Sequence, residues 1–577
     1  KVKHRKSELT KFHDKLATLT FLDPACGCGN FLVITYRELR KLEHKVIEAL
    51  YGKNTGLFEL GEYGVVKCDV DQMYGIEIEE FPSLIAETAL WLADHQMNNE
   101  FSRQTEQVYR RIPLVKHANI HKANALTVPW ENIIVPSKLN YILGNPPFVG
   151  KKEQSKQQKE LILNTFNFVD GAGVLYFVAA WYVKALEIMH KNPKIQATLV
   201  STNSITQGEQ AGILWSYLLK QGVHINFAHR TFKWQNDAKG IAGVHCVIIG
   251  FALFDREIKY IYEYLNLKSE PIEDRVKNIN QYLIDAPNVF IKNRSRPISS
   301  NAPLISYGSM PIDNGSLILS QEDANQLFGK YPNISNIIRL YVGGEEYINN
   351  KVRYCIWLNG IDPTNIKSYP EIMHRVDSNR NYRLSSTRPQ TIQAAETPML
   401  FGEIRQPQTN YLILPKVSSE RRKYMPIGML SSSIIANGSS LVIAGATLYD
   451  FAILQSNMHM SWMKNVCGRL ESRYQYSAGI VYNNFIWPVQ VSDTQKAEIE
   501  KNAQAVLDAR AKYPEATLAD LYDPLTMPQD LVKAHKTLDK AVDKLYQKET
   551  FSGDTERVAL LFNLYQQKIA TIKEGKK

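Results

Sequence analysis

The chain has no apolar run approaching the roughly 18 residues of a membrane-crossing helix. It has only six cysteines in 577 residues, and only Cys26 and Cys28 stand close together. No second Cys pair or His-x-His spacing completes a zinc site, so reduced thiols in a cytoplasmic setting are expected. It has no internal repeat and no long low-complexity tract. The start, Lys1-Val-Lys-His-Arg-Lys6, is basic with no apolar segment behind it, which excludes a signal peptide reading. An initiator methionine is also missing there. What remains is ordinary globular composition, 44% hydrophobic and 22% charged, at a length that suggests about three or four domains. The net charge of +10 suits an anionic partner, but spread over this length it fits a merely basic protein equally well.

Periodicity suggests strands alternating with helices up to about residue 289. Residues 1–20 read as an amphipathic lead helix with Leu9, Phe12, Leu16 and Leu19 on one side. Strands are expected at 20–23, 73–78, 118–126, 139–143, 196–201, 225–229 and 244–254. Helices are expected at 30–50, 81–98, 174–189 and 209–220. Stretches 51–72, 99–117 and 151–159 read as irregular. The alternation predicts an α/β domain over 21–289 with a parallel sheet and an antiparallel edge strand. From 290 to 492 the texture becomes rich in Asn, Ser, Pro, Tyr and Arg, with short β-like runs at 351–358, 411–415 and 440–444 and few helical periods. Residues 493–577 read as a helical segment, with helices at 497–510, 528–546 and 555–572.

Two stretches carry the chemistry. In Phe21–Leu32 a strand runs into Gly27-Cys-Gly29 and then a helix, so the backbone can approach a ligand closely. A dinucleotide fingerprint needs a third glycine, where this chain has Leu32, and an acid about 20 residues on. Here the acid is Glu77, much further away. Asp23 at the strand end suits a cationic amino-acid moiety, Glu77 suits two ribose hydroxyls, and Asn124 suits an adenine edge. That set fits S-adenosylmethionine better than a nicotinamide dinucleotide. Each residue alone also fits a bland role: Asp23 before proline as a turn residue, Glu77 as a helix cap. Their order, each at a strand's C-terminal end, favours the ligand site.

The second stretch is Asn145-Pro-Pro-Phe148. Proline fixes φ and removes backbone donors, so the segment offers oxygens without competing N–H groups. The Asn145 side-chain oxygen and the Pro146 carbonyl can accept both hydrogens of an exocyclic amine, and Phe148 gives a planar base a ring to stack on. A base reached this way must leave its duplex. The plain alternative is a Pro-Pro turn beside a buried Phe, which does not explain the glycine turn upstream.

These residues resemble the motifs of the amino-methyltransferase superfamily. Asp23-Pro-Ala-Cys-Gly-Cys-Gly-Asn-Phe31 is similar to its motif I, Gly75-Ile-Glu-Ile78 to motif II, Ala123-Asn-Ala-Leu126 to motif III and Asn145-Pro-Pro-Phe148 to motif IV. Their order resembles the γ class of adenine-N6 DNA methyltransferases. Longer strings resemble MmeI-like, single-chain type IIL restriction–modification enzymes. They are Gly144–Gly150, Ser201-Thr-Asn-Ser-Ile-Thr-Gln-Gly-Glu-Gln210, Phe227-Ala-His-Arg-Thr-Phe-Lys-Trp234, Val244–Phe251 and Tyr476-Ser-Ala-Gly-Ile-Val-Tyr482. The resemblance covers roughly 21–490, and Thr517–Asp523 extends it into the helical segment.

The resemblance implies a Rossmann-like S-adenosylmethionine-dependent methyltransferase sheet, a loop- and strand-rich recognition domain and a C-terminal helical segment. It implies a cofactor pocket of Asp23, Ala25, Cys26, Gly27, Gly29, Phe31, Glu77, Ile78, Asn124, Ala125 and Asn145. Asn145, Pro146, Pro147 and Phe148 would hold the target adenine of double-stranded DNA. The chain departs from the common pattern at Asn124, where Asp is usual, and at Phe148, where many relatives carry Tyr. Amide acceptance and stacking both survive those changes. Motif X is not identifiable in residues 1–20. Such relatives also carry an N-terminal nuclease domain, for which there is no room ahead of Asp23, so no cleavage is expected of this chain.

DNA contact is expected from Lys151, Lys152, Lys156 and Lys159, with Phe232 or Trp234 as a further wall of the base pocket. In the recognition module the candidates are Arg294, Arg296, Arg339, Arg353, Arg380, Arg383, Arg405, Lys416, Arg421, Arg422, Arg469 and Arg473. Most of these would meet phosphate or solvent rather than a base. No metal is needed for this transfer, and a monomer is expected. Two other functions compete with the leading one. One is methylation of a protein glutamine, which uses a related Asn-Pro-Pro motif. The other is a DNA-specificity or scaffold subunit without chemistry. Cytosine-N4 transfer usually prefers Ser at position 145.

Overall fold

The computed structural model describes residues 2–52, 65–105, 117–167, 169–234, 244–264 and 269–574. The chain divides into two compact units, Lys1–Phe290 and Ile291–Lys577.

The first unit runs α1 (Val2–Thr18), β1 (Phe21–Asp23), α2 (Asn30–Tyr51), β2 (Met73–Glu77), α3 (Glu80–Thr105), β3 (Asn119–Lys122), β4 (Tyr141–Gly144) and α4 (Lys156–Thr165). It continues with α5 (Ala179–Lys191), β5 (Gln196–Thr202), α6 (Gly208–Lys220), β6 (His224–Trp234), β7 (Val244–Ala252), β8 (Lys259–Tyr264) and β9 (Pro271–Val276). The nine strands form one sheet in the order β3-β2-β1-β4-β5-β7-β6-β8-β9. β3 through β5 are mutually parallel. β7 is antiparallel to both its neighbours. The expected antiparallel edge strand is present as β9, against β8. The sheet also holds an antiparallel strand in its interior, because β7 is buried along most of its length and needs a partner on each side.

Three sequence expectations are corrected. The helix expected to end at 98 runs on to Thr105, and the loop expected at 151–159 becomes helix from Lys156, where Ser155 caps the helix by accepting from Gln158 N–H. The helix expected from 174 begins at Ala179. Parts of the stretches expected to be irregular, 53–64 and 106–116, lie outside the described residues.

Helical spacing of Leu32, Tyr36, Leu39, Val46 and Leu50 gives α2 a buried face against the sheet. α1 joins this core through Leu16, and buried His13 contacts Glu43 Oε1 at 2.9 Å. Arg40, fully buried, pairs with Asp94 at 2.8 Å and ties α2 to α3. The glycine turn is therefore mounted on a helix locked from two sides.

The second unit builds two four-stranded sheets and one three-stranded sheet from short strands. It is more helical than its composition predicts: Gln321–Lys330, Pro370–Leu384, Leu448–Gln455 and Asn457–Val466 are helices. Short amphipathic helices interrupted by Asn and Ser leave a weak period. The helices Asp493–Ala511, Gln529–Asp543 and Asp554–Glu574 fold onto the rest of this unit. Arg510 donates to the Ile427 carbonyl at 2.7 Å, and Tyr424 donates to Asp539 at 2.6 Å.

Arg383, expected near DNA, is instead fully buried. Its guanidinium donates to the carbonyls of Pro311, Ile312, Ala394, Thr397 and Leu400 at 2.7–3.2 Å. It closes a loop region that has no strand partners for those oxygens. The Pro311, Ala394 and Thr397 carbonyls each also accept a backbone N–H, so Arg383→Leu would leave the Ile312 and Leu400 carbonyls without a donor and is expected to destabilise the protein by about 3 kcal/mol, read as a lower urea midpoint. An unchanged midpoint would refute this role.

Candidate active site

β1 delivers Asp23 between β2 and β4, where the strand order changes direction and a crevice opens at the strands' C-terminal ends. Asp23 is 2% exposed. A Cβ on Gly144 would stand 2.5 Å from Asp23 Oδ1, so only glycine lets the carboxylate lie across β4. Asp23 Oδ1 accepts the Ala25 N–H at 3.0 Å. Among the described residues no cationic side chain pairs with it. Burial pushes its pKa up to about 7; the Ala25 bond opposes this and the nearby Glu77 adds to it.

Gly27 and Gly29 have φ of +53° and +81°. A Cβ on Gly27 would project into open space, whereas one on Gly29 would stand 2.9 Å from Ala86 Cβ and 3.0 Å from its Cα. Gly29 thus lets α2 start directly over α3. Gly29→Ala is expected to cost about 2–3 kcal/mol from left-handed strain plus overpacking, measured by chemical unfolding. Cys26 is buried with its Sγ against Gly75, and burial raises its thiol pKa and keeps it protonated. Cys28 is exposed.

Glu77 ends β2. Its Oε2 accepts Gly27 N–H and its Oε1 accepts Glu79 N–H, both at 2.9 Å. The carboxylate is thereby aimed, and each oxygen keeps further acceptor capacity. Ala123 N–H donates to the Glu77 carbonyl at 2.8 Å, bringing the Ala123–Leu126 turn alongside. Asn124 Oδ1 accepts Leu126 N–H at 3.0 Å, so this half-buried amide braces its own turn. Ala125 is buried and its carbonyl accepts from Trp130. Ile78 is 57% exposed immediately beyond Glu77, and Phe31 is half-buried in the first turn of α2.

β4 lies next to β1 and delivers Asn145. Its Oδ1 is buried and has no hydrogen-bond partner. Pro146 is buried, Pro147 exposed and Phe148 half-buried. The loop is held from behind. Val149 O accepts Phe177 N–H at 3.0 Å, and buried Gln154 donates to both Val149 O and Leu175 O. Trp181 of α5 donates to Pro24 O at 3.1 Å. Gln154, Gln210 and Trp181 were not singled out in the sequence, because their work is to satisfy carbonyls of segments distant in the chain.

Lys151 and Lys152 are exposed just past this loop. Phe232 and Trp234 lie on β6 with ring centres 6.0 Å apart, and Phe232 packs on Tyr264 at 5.3 Å. Register carries Phe232 opposite Cys246, and Cys246 opposite Thr202, so these rings lie at the same sheet edge as Asn145 but three strands away.

In the second unit Arg353 pairs with Glu346 at 2.7 Å and lies over the Tyr341 ring. Arg421 is 59% exposed, 3.9 Å from Asp523. Arg422 is partly buried against Ser418, and Arg473 pairs with Glu471 at 3.0 Å. A cavity of about 740 Å3 is lined by Arg339, Asn336, Asn359, Gln406, Gln408 and Ser432, among others. Of these, only Arg339 was singled out from sequence. The amides that line the cavity come from three segments, around Asn336, Asn359 and Gln406, which no local pattern links.

The parallel half-sheet, with the glycine turn after β1 and the Asn-Pro-Pro-Phe loop after β4 at its C-terminal edge, has the Rossmann-like architecture of the methyltransferases. Family models agree along the chain: the MmeI DNA-methyltransferase domain matches 1–263, the MmeI target recognition domain 285–489 and the MmeI C-terminal domain 491–573. DNA methyltransferase A of Bacillus subtilis (strain 168) is 39% identical over 568 residues, 97% of this chain and 63% of that protein. A solved structure of the type IIL restriction–modification enzyme MmeI in complex with DNA is 47% identical. It superimposes with a TM-score of 0.89 over 99% of this chain and 75% of that one. The chain belongs to the MmeI family, and it spans under two thirds of the curated relative it matches. That family implies a methyl donor. No helix among the described residues is long and apolar enough to cross a membrane.

Proposed function

We propose that the chain is a sequence-specific DNA methyltransferase of a restriction–modification system, transferring a methyl group from S-adenosylmethionine to N6 of a flipped adenine. The observation that carries the reading is the buried, unpartnered Asn145 Oδ1 one strand away from the buried Asp23 carboxylate. A buried acceptor with no donor calls for a ligand that brings one. An exocyclic amine does so, and the Pro146 carbonyl takes its second hydrogen. Phe148 stacks on the base.

S-adenosylmethionine supplies an electrophilic methyl group when bound. Its amino-acid cation answers Asp23, the ribose answers Glu77, and Ile78 gives the adenine ring an apolar seat with Asn124 at its edge. Ala25, Cys26, Gly27, Gly29, Phe31 and Ala125 shape the walls. Asn145 and Pro146 orient the amine and stabilise positive charge on it during transfer. The amine nitrogen bonds the methyl carbon as the methyl–sulfur bond breaks, so that S-adenosylhomocysteine is the leaving product and the amine's proton passes to solvent.

In this reading residues 21–289 perform the transfer, after the lead helix 1–20. Residues 290–492 read double-stranded DNA, and 493–577 brace the reader. Lys151, Lys152, Arg421 and Arg473 meet phosphates, while Arg339 and the amides beside it are suited to base edges. Arg353 and Arg422, already engaged, serve the protein surface first. The setting is a bacterial cytoplasm, on DNA. Incubation with genomic DNA and S-adenosylmethionine, followed by sequencing for N6-methyladenine, should reveal one recurring motif. Methylated glutamine in protein, or DNA binding without any methylation, would replace the reading with the corresponding alternative.

A further inference from the structure

Of the several other side chains that carry a buried oxygen with no partner among the described residues, two lie at or just past the end of the strand next to the one that delivers Asn145. Thr202 closes β5 and Gln207 stands at the cap of α6; Thr202 Oγ1 and Gln207 Oε1 are both buried and unpartnered. Buried polar atoms are rarely left unsatisfied, so each points to something that completes it.

Their placement is specific. β5 lies beside β4 in parallel register, with Gly144 opposite Leu199. One step further puts Asn145 level with Val200. Thr202, two residues on, falls on the same face as Val200, roughly 7 Å further along. The cap of α6 is fastened to the loop that follows Phe148. Gln210 Oε1 accepts Tyr176 N–H at 3.0 Å, and its Nε2 donates to Val174 O at 2.6 Å. The next amide in that segment, Phe177 N–H, donates to Val149 O at 3.0 Å. Thr202, Gln207 and Asn145 are therefore held at one edge of the sheet by adjacent strands and a shared set of hydrogen bonds.

The chemistry is complementary to what Asn145 does. The two amine hydrogens of adenine are taken by the Asn145 and Pro146 oxygens. The ring nitrogens on either side of that amine, N1 and N7, are acceptors, and N1 loses its Watson–Crick donor when the base leaves the duplex. A threonine hydroxyl can donate. The unpartnered atom of Gln207 is an acceptor oxygen, which cannot donate to a ring nitrogen, whereas the Thr202 hydroxyl can. We propose that Thr202 forms a second polar wall of the acceptor pocket, its hydroxyl donating a hydrogen bond to a ring nitrogen beside the amine of the flipped adenine. The assignment rests on the adenine-N6 reading.

The test uses the full chain and a duplex oligonucleotide carrying its mapped site. Thr202→Val is expected to lower kcat/KM for methylation about tenfold or more, the effect of one lost hydrogen bond. Thr202→Ser should recover most of the loss. S-adenosylmethionine affinity and Tm should hold, because no hydrogen bond within the protein is lost. With 7-deazaadenine or 1-deazaadenine at the target, the wild type should lose activity on the analogue whose nitrogen is contacted. The variant lacking the matching donor should lose nothing further on that analogue. Wild-type kcat/KM in Thr202→Val would overturn the proposal. So would an activity loss matched by a fall in Tm, which marks a structural role. A wild type that methylates no adenine overturns the functional reading itself, and that is known before any variant is compared.

Discussion

Asn145→Ala is expected to slow methyl transfer by about 100- to 1,000-fold, the effect of losing one preorganised acceptor at a site of developing charge. The reason lies in the geometry. Asn145 Oδ1 is buried, and none of the described residues hydrogen-bonds to it. Its removal therefore costs the fold little, and stability should be almost unchanged. DNA binding, which phosphate contacts dominate, should stay within a few-fold. Single-turnover methylation with saturating DNA and cofactor separates these effects, because it reads the chemical step alone. Transfer at the wild-type rate would remove Asn145 from the reaction. A fall in Tm large enough to explain the lost rate would make it a structural residue instead.

The second large effect concerns Asp23. Asp23→Asn is expected to weaken S-adenosylmethionine binding by about 10- to 100-fold, the difference between a charged and a neutral hydrogen-bond acceptor in a buried site. The wild type should also show a pH dependence that the variant lacks. Asp23 sits near a pKa of about 7 before a cation arrives. Below that pH the carboxyl is protonated, and binding a cation must expel the proton. The apparent Kd should therefore rise by up to about tenfold per unit as pH falls below 7, and level off above it. The sign for folding of the free protein is opposite. A carboxyl with a raised pKa favours the folded state when protonated, and that contribution is lost as pH rises from about 4 to about 7. Cofactor affinity thus improves across the window in which the free protein weakens. Calorimetric titration between pH 6 and 8 checks this; a Kd independent of pH would show that Asp23 does not meet the cation.

Much of this site is legible in one dimension because its parts sit at strand ends. Asp23, Glu77, Asn124 and Asn145 each close or follow a short apolar run, and a parallel sheet carries all such ends to one edge. The left-handed turn is legible too, since Gly27 and Gly29 stand between a strand and a helix. Arg383 shows the opposite case. In sequence it is one more arginine in a basic, polar module. Its burial follows from five carbonyls contributed by segments up to 72 residues away, and no local pattern encodes that convergence.

The amino-acid string alone carries the features on which the proposed ligand rests: glycines where backbone can come close, a carboxylate at a strand end, and the Asn-Pro-Pro-Phe segment. Those choices depend on residue type and strand-end position, which periodicity reveals. It could not specify which oxygens are left without partners. Whether Asn145, Thr202 and Gln207 are satisfied depends on every segment packed around them. The same holds for Asp23: its carboxyl lies across Gly144 from a neighbouring strand, and the burial that raises its pKa exists only once β1, β2 and β4 lie side by side.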